Sequence, residues 1–184
     1  MGIRRGGWPW DSSGVLRAEE LGPSVQTTIP CFASVGRSET KPDLIVVHID
    51  GLCEPVNPGG TATFGYVIRD DSRRVLARKS GLVGRGPAMS SNVAEYAALC
   101  EALEFLLTRK LEDSVIEVRS DSALVVNQMR GIWKFRKGLY REKYLEAVRL
   151  CARFAKLRFR WISREENQEA DLLSREAYAS SLLP

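Results

Sequence analysis

Four acidic residues, far apart in the chain, sit in settings suited to shared chemistry. Asp50 closes the apolar run "DLIVVHID", Glu95 falls early in "SSNVAEYAALCEALEFLLTRK", Asp121 follows "SVIEVRS", and Asp171 lies within "NQEADLLSREAY". Singly, each has an ordinary reading. Asp50 before Gly51 is a turn, Glu95 a solvated helix residue, Asp121 with Ser122 a helix N-cap, and Asp171 a charge near a helix N-terminus. Together they suggest a metal centre. Carboxylates brought to one place repel unless cations sit among them, and hard oxygen ligands suit Mg2+ or Mn2+. The repulsion is expected to be strongest at Asp50, the central member.

The elements that must position these acids follow from hydrophobic pattern. "DLIVVHID" is a continuous apolar run, expected as a central strand buried on both faces and ending at Asp50. "TATFGYVIRD" and "RRVLARKSGLV" read as two more strands joined by the turn "DDSR". A capped helix over "SSNVAEYAALCEALEFLLTRK" comes next, with Val93, Tyr96, Ala97, Cys100, Leu103 and Leu107 near helical spacing. Beyond it come a strand ("SVIEVRS"), a helix ("ALVVNQMRG"), a basic amphipathic helix over about 139–155, a strand ("LRFRWIS") and a last helix from about Asn167. The order β-β-β-α-β-α-α-β-α predicts an α/β fold. Its five-stranded mixed sheet has three antiparallel strands, then parallel βα units, with helices on both faces. In such sheets chemistry gathers at the carboxyl ends of the strands. Asp50 and Asp121 meet there if the first and fourth strands are neighbours.

Composition excludes several classes. The 184 residues, 44% of them hydrophobic, suffice for one domain with a real core. Residues 1–42, rich in Gly, Pro and Ser and without periodicity, read as a flexible tail with one short helix near "VLRAEE" and a Trp8/Trp10 pair; 43–184 form the domain. The net charge is +4, but Arg130 to Arg160 holds eleven Lys and Arg against Glu142 and Glu146, so this segment carries +9 and the remainder −5. A polyanionic partner fits that segregation. Four scattered cysteines (Cys31, Cys53, Cys100, Cys151) and a single histidine cannot form a zinc knuckle or ribbon. They read as reduced thiols in a cytoplasmic protein, with a Cys100–Cys151 disulfide as the alternative. No run approaches the ~18 apolar residues of a spanning helix, and the N-terminus has no secretory h-region.

The blocks "HIDGLCEPVNPGGTATFGYVI", "SSNVAEYAALCEAL", "VRSDSALVVNQMRG" and "WISREENQEADLLSREAY" resemble, in order, the signature blocks of type 1 ribonuclease H, above all its compact archaeal and bacterial members. The resemblance covers about Asp43 to Tyr178. It implies an endonuclease that hydrolyses the RNA strand of RNA/DNA hybrids with two Mg2+ (or Mn2+) ions, held roughly 4 Å apart. It implies that Asp50 bridges the metals, that Asp171 serves the metal on the water side, and that Glu95 and Asp121 serve the leaving-group side. Asp121 would then be a metal ligand that also caps a helix. Asn57, Ser90 and Asn92 match positions that touch the hybrid near the cut; for Asn57, the turn "NPGG" is the competing reading. Double-stranded RNA is a second substrate open to compact members. The protein is expected to be a monomer without an obligate protein partner or a membrane association.

Three departures stand out. Between Trp161 and Asp171 there is no loop histidine, leaving Arg164 or Glu166 for that auxiliary role, while the lone His48 reads as a packed strand residue. Ala123 follows Asp121-Ser122 where many relatives have Gln. The basic handle of some bacterial members is missing. Its work then falls to the Arg130–Arg160 segment, with Lys134, Arg136 and Lys137 as DNA-strand contacts and Trp133 as a stacking surface. Two other readings compete: a nuclease of the same fold acting mainly on double-stranded RNA or DNA, and a catalytically silent nucleic-acid-binding module.

Overall fold

The computed structural model describes residues 42, 44–135 and 137–183. Trp8, Trp10, Cys31, the segment "VLRAEE", Asp43 and Arg136 lie outside the described residues. The elements are β1 (Leu44–Glu54), β2 (Thr61–Asp70), β3 (Val75–Arg85), α1 (Ser91–Thr108), β4 (Val115–Ser120), α2 (Ala123–Met129), α3 (Arg141–Cys151), β5 (Lys156–Trp161) and α4 (Gln168–Ser181). A single 3-10 turn, Arg164–Glu166, precedes α4. This is the expected order. The strands form one mixed sheet, β3-β2-β1-β4-β5. β1, β2 and β3 are antiparallel, whereas β4 runs parallel to β1 and β5 parallel to β4.

Three expectations need correction. Asp50 does not end β1: pairing with β4 stops at His48↔Arg119, while pairing with β2 continues to Glu54↔Thr61. Asp50 therefore stands where the strand has lost one neighbour, which opens a cleft beside it. Nor is β1 buried on both faces. Ile45, Val47 and Ile49 are fully buried, but Leu44, Val46, His48 and Asp50 are half-buried on the other side. Finally, the basic helix is shorter than its pattern, starting at Arg141 and ending at Cys151. Before it, the chain is held as a loop by an aromatic stack in which Tyr140 lies on Tyr96 and Phe135 on Tyr144. After it, Phe154 turns into the core and the Ala155 N–H donates to Glu112 O, so the helical ladder stops.

Two helices set the site. α1 packs against β1 and β2 and is backed by α3, so it is buried on most sides; Ala94, Ala98, Leu99, Ala102, Leu103 and Leu106 are fully inaccessible. α4 packs across β1, β2 and β3 on the opposite face. Each helix comes close because a glycine faces it. A Cβ on Gly51 would lie 2.2 Å from the Glu95 amide nitrogen, and one on Gly65 would lie 2.5 Å from Ala170 O and 2.7 Å from Ser174 N. These neighbours are backbone and cannot swing aside. Gly65 is also the register partner of Asp50.

Gly65→Ala is therefore expected to lift α4 from the sheet at a cost of about 1–3 kcal/mol. That corresponds to a melting temperature lower by roughly 3–10 °C. An unchanged melting temperature would mean that the contact is not tight in solution.

Candidate active site

Asp50, Glu95, Asp121 and Asp171 line one cleft at the carboxyl ends of β1 and β4, together with Asn57, Ser91, Arg164 and Arg175. Each acid arrives on a different element, and each has its own partner. The Ser174 hydroxyl donates to Asp50 Oδ2 at 2.5 Å. The Ser122 hydroxyl donates to Glu95 Oε2 at 2.6 Å. The Asn167 side-chain amide donates to Asp121 Oδ1 at 2.7 Å and also to Ile49 O at 2.9 Å, tying Asp121 to β1. Asp171 is gripped by Arg164 Nη2 at 2.9 Å and by Arg175 Nε at 2.7 Å.

The electrostatics separate the four acids. Burial pushes Glu95 up to about 8; the Ser122 hydrogen bond opposes this, and the charges of Asp50 and Asp121 add to it. Burial also raises Asp50, opposed by Ser174 and reinforced by Asp121 and Asp171. Desolvation leads at both acids, and it shifts Glu95, in the first turns of α1, further than Asp50. Burial would likewise raise Asp171, yet the Arg175 and Arg164 guanidiniums hold it below the usual carboxylate range.

The donor chemistry fits hard divalent cations: the four carboxylates are joined in the lining by a fifth, Glu54, there is no imidazole, and the one thiol, Cys53, is buried and turned onto Val56 O. The rotamers do not close on a common point, and no three His, Cys, Asp or Glu side chains among the described residues form a ready metal cage. The reason is visible in the contacts, since every carboxylate oxygen named above is turned onto a protein donor. Metal binding would exchange those hydrogen bonds, with the arginines releasing Asp171.

The other candidates divide. Asn57 lines the cleft, but both ends of its amide are engaged by Ser91, Nδ2 donating to Ser91 Oγ and Oδ1 accepting from Ser91 N. Ser90 is spent as the N-cap of α1, accepting from Val93 N. Asn92 is half-buried in the first turn and is not among the cleft-lining residues. Trp133, Lys134 and Lys137 are exposed on the loop after α2, outside the cleft. Arg164 lines the cleft, whereas the Glu166 carboxylate folds back onto Ser163 N and belongs to a small crevice with His48. His48 is driven down to about 4 by burial and by Arg119 and Arg69, so it stays neutral and out of the cleft. Cys53, Cys100 and Cys151 are buried free thiols. Asp121 does not cap α2; Ser122 does, accepting from Val125 N.

Sequence pattern did not single out four supporting residues, Trp161, Asn167, Ser174 and Arg175, and it gave Ser122 only as part of a helix N-cap. Trp161 is 54% exposed and donates its indole N–H to Asp121 O at 3.0 Å. Ser174 and Arg175 stand three and four residues after Asp171, the spacing at which helical neighbours meet, so that much was available. Asn167 looked like an ordinary helix start, and its reach across to β1 and Asp121 is a tertiary fact.

The fold and this cleft define a class. The chain belongs to the family described as Reverse transcriptase-like, whose model matches residues 49–177, and it carries a ribonuclease H-like domain of the type 1 kind. Among solved structures it is similar to LC11-RNase H1 from compost, determined in complex with an RNA/DNA hybrid: 36% identity, TM-score 0.69, 76% of this chain and 99% of that one. RNase H1 from the halophilic archaeon Halobacterium salinarum NRC-1 matches at 30% identity and TM-score 0.66, over 74% of this chain and 98% of that one. The bifunctional protein Rv2228c of Mycobacterium tuberculosis is 33% identical over 133 residues, 72% of this chain. The chain spans only 35% of that relative's length.

Glu95 yields a pH test on metal-free protein. Its folded-state value of about 8 lies above the ordinary 4.5, so between these values the unfolded chain releases a proton that the folded chain keeps. Stability in EDTA should fall as pH rises through that window. Glu95→Gln should flatten the fall and melt higher than the parent near neutral pH; an identical pH profile would place Glu95 in solvent.

Proposed function

We propose that this protein is a metal-dependent endonuclease that hydrolyses the RNA strand of RNA/DNA hybrids. The observation that carries the reading is the arrival of four carboxylates, from β1, α1, the β4–α2 junction and α4, in one cleft. It is supported by the family match and by the similarity to LC11-RNase H1, which was solved with an RNA/DNA hybrid. Double-stranded RNA is the second substrate of this reading, the catalytic unit is residues 43–184, and the working form is a cytoplasmic monomer. Among the described residues no helix is long and apolar enough to cross a membrane.

Asp50, Glu95, Asp121 and Asp171 would hold two Mg2+ or Mn2+ ions. When bound, such ions lower the pKa of a water and neutralise charge on the entering and leaving phosphodiester oxygens. The chain's own part is positional. Asn167 and Trp161 fix Asp121 through its carboxylate and its carbonyl. Ser174 orients Asp50, and Ser122 orients Glu95. Arg164 and Arg175 keep positive charge at the cleft wall, where a phosphate would approach. Asn57 and Ser91, locked together at the mouth, present a polar edge to the sugar, where a 2′-hydroxyl distinguishes RNA from DNA.

Labelled hybrid, double-stranded RNA and double-stranded DNA, each incubated with Mg2+, Mn2+ or EDTA, test this directly. Internal cuts in the RNA strand of the hybrid are expected with either metal and none in EDTA. Failure to cut hybrid with both metals would sink the reading, and preferred cutting of double-stranded DNA would favour the same-fold alternative. Asp50→Asn should abolish cleavage while melting at the same or a higher temperature than the parent in EDTA. A chain beginning at Lys41 should keep its activity within about tenfold, a barrier change of roughly 1.4 kcal/mol.

A further inference from the structure

The basic segment that looked like one surface in sequence is split by the fold. The exposed cations of the loop after α2 and those of α3 lie on the side of the sheet covered by α1, since α3 backs that helix. Lys156, Arg158 and Arg160 do not. In β5 they alternate with buried Leu157 and Phe159, so all three point to the opposite face. The register identifies it: Arg160 pairs with Arg119, Arg119 with His48, and His48 shares its face with Asp50, which takes its hydrogen bond from α4. Yet α4 packs chiefly on β1, β2 and β3, and among the described residues no helix covers the β4–β5 half of this face.

That open half-sheet is organised around a buried acid. Glu117 is 5% exposed and is sandwiched by Arg119, whose Nε donates to Oε1 at 2.7 Å, and Arg158, whose Nε donates to Oε2 at 2.7 Å. One carboxylate thus holds two guanidiniums flat on the sheet. Lys156 and Arg160 form no ion pair among the described residues, so four cations here face one anion. Lysines and arginines on an edge strand can serve only to block edge pairing. Here, however, the charges extend inward to β4 and are pinned by a buried partner, which edge protection does not require. The row also leads somewhere. Successive cations on β5 are about 6.6 Å apart, and at the cleft end of the sheet Arg160 pairs with Arg119 and Arg119 with His48, two residues before Asp50 on the same face.

We propose that the open face formed by Lys156, Arg158, Arg160 and Arg119 is a second nucleic-acid surface, gripping the phosphate backbone of a duplex where it runs past the cleft. Charge complementarity and continuity with the cleft both favour that occupant. The inference rests on the nucleic-acid reading above, and it adds a contact on the α4 side of the sheet, separate from the loop holding Lys134 and Lys137.

The test is the double variant Lys156→Gln/Arg160→Gln, which leaves the Glu117 cluster intact. Binding of a long RNA/DNA hybrid is measured in EDTA across a salt series, beside a short hybrid that fills only the cleft. The same charge is removed as a control at Arg109 and Lys110, beyond the far end of α1. The slope of log K against log salt for the long hybrid should shrink by about 1–2 in the variant. Affinity at low salt should drop at least about tenfold, with the short hybrid and the control unchanged. Unchanged slope and affinity would overturn the proposal and leave the face to an acidic protein partner. Equal loss in the control would overturn it as a mere net-charge effect. A parent that binds no duplex at all would overturn both this surface and the function proposed above, whereas a parent that binds and cuts hybrid beside an unaffected variant overturns the surface alone.

Discussion

How close two helices can approach one sheet decides nearly everything about the cleft. Gly51 admits α1 on one face and Gly65 admits α4 on the other, each to a separation at which a methyl group would collide with backbone. Glu95 is carried in by the first contact and Asp171 by the second, while Asp50 lies between the two glycine-dependent contacts on β1. Close approach brings like charges together, and the surrounding hydrogen bonds answer that repulsion. Ser174, Ser122 and Asn167 each supply a donor to one acid, and Arg164 and Arg175 supply charge to the fourth. The site is therefore a balance of packing against electrostatics, with tight helix approach on one side and carboxylate repulsion on the other.

The cleft also shows how the last acid is held in place. Two guanidiniums occupy the space around Asp171, and they hold its carboxylate ionised against the effect of burial. Both stand within reach because the 3-10 turn at Arg164–Glu166 brings the first one round and a single helical turn of α4 brings the second. Glu166 is used differently: it closes the capping box of that turn with Ser163, which directs it away from the cleft.

Much of this was legible in the sequence, for reasons that can be named. The strand and helix order followed from the strand-like runs "TATFGYVIRD" and "LRFRWIS" and from the capped apolar stretch after Ser90, although β2 proves buried on both faces rather than alternating. The convergence of the acids followed from placing each at the carboxyl end of a strand or near the start of a helix. What was not legible depended on contacts between distant segments. The early stop of β4 pairing leaves Asp50 mid-strand, the aromatic stack of Tyr140 on Tyr96 shortens α3, and Ser122 rather than Asp121 caps α2. The two ends of the basic segment also part company in the fold, since the cations of β5 face away from the side on which α3 backs α1.

The hydrogen bonds that hold the cleft span long stretches of chain. Ser174 reaches back 124 positions to Asp50, Asn167 reaches back 118 to Ile49, and Thr63 accepts its place by donating to Ser174 O, 111 positions away. Contacts this distant in sequence form late, because closing large loops costs entropy before any packing rewards it. During synthesis, β1, α1 and β4 can assemble while α4 is still missing, and such a chain has three of the acids but not the geometry. A nascent chain therefore carries the cleft unfinished, and Asp171 reaches it only when the last helix docks against Gly65.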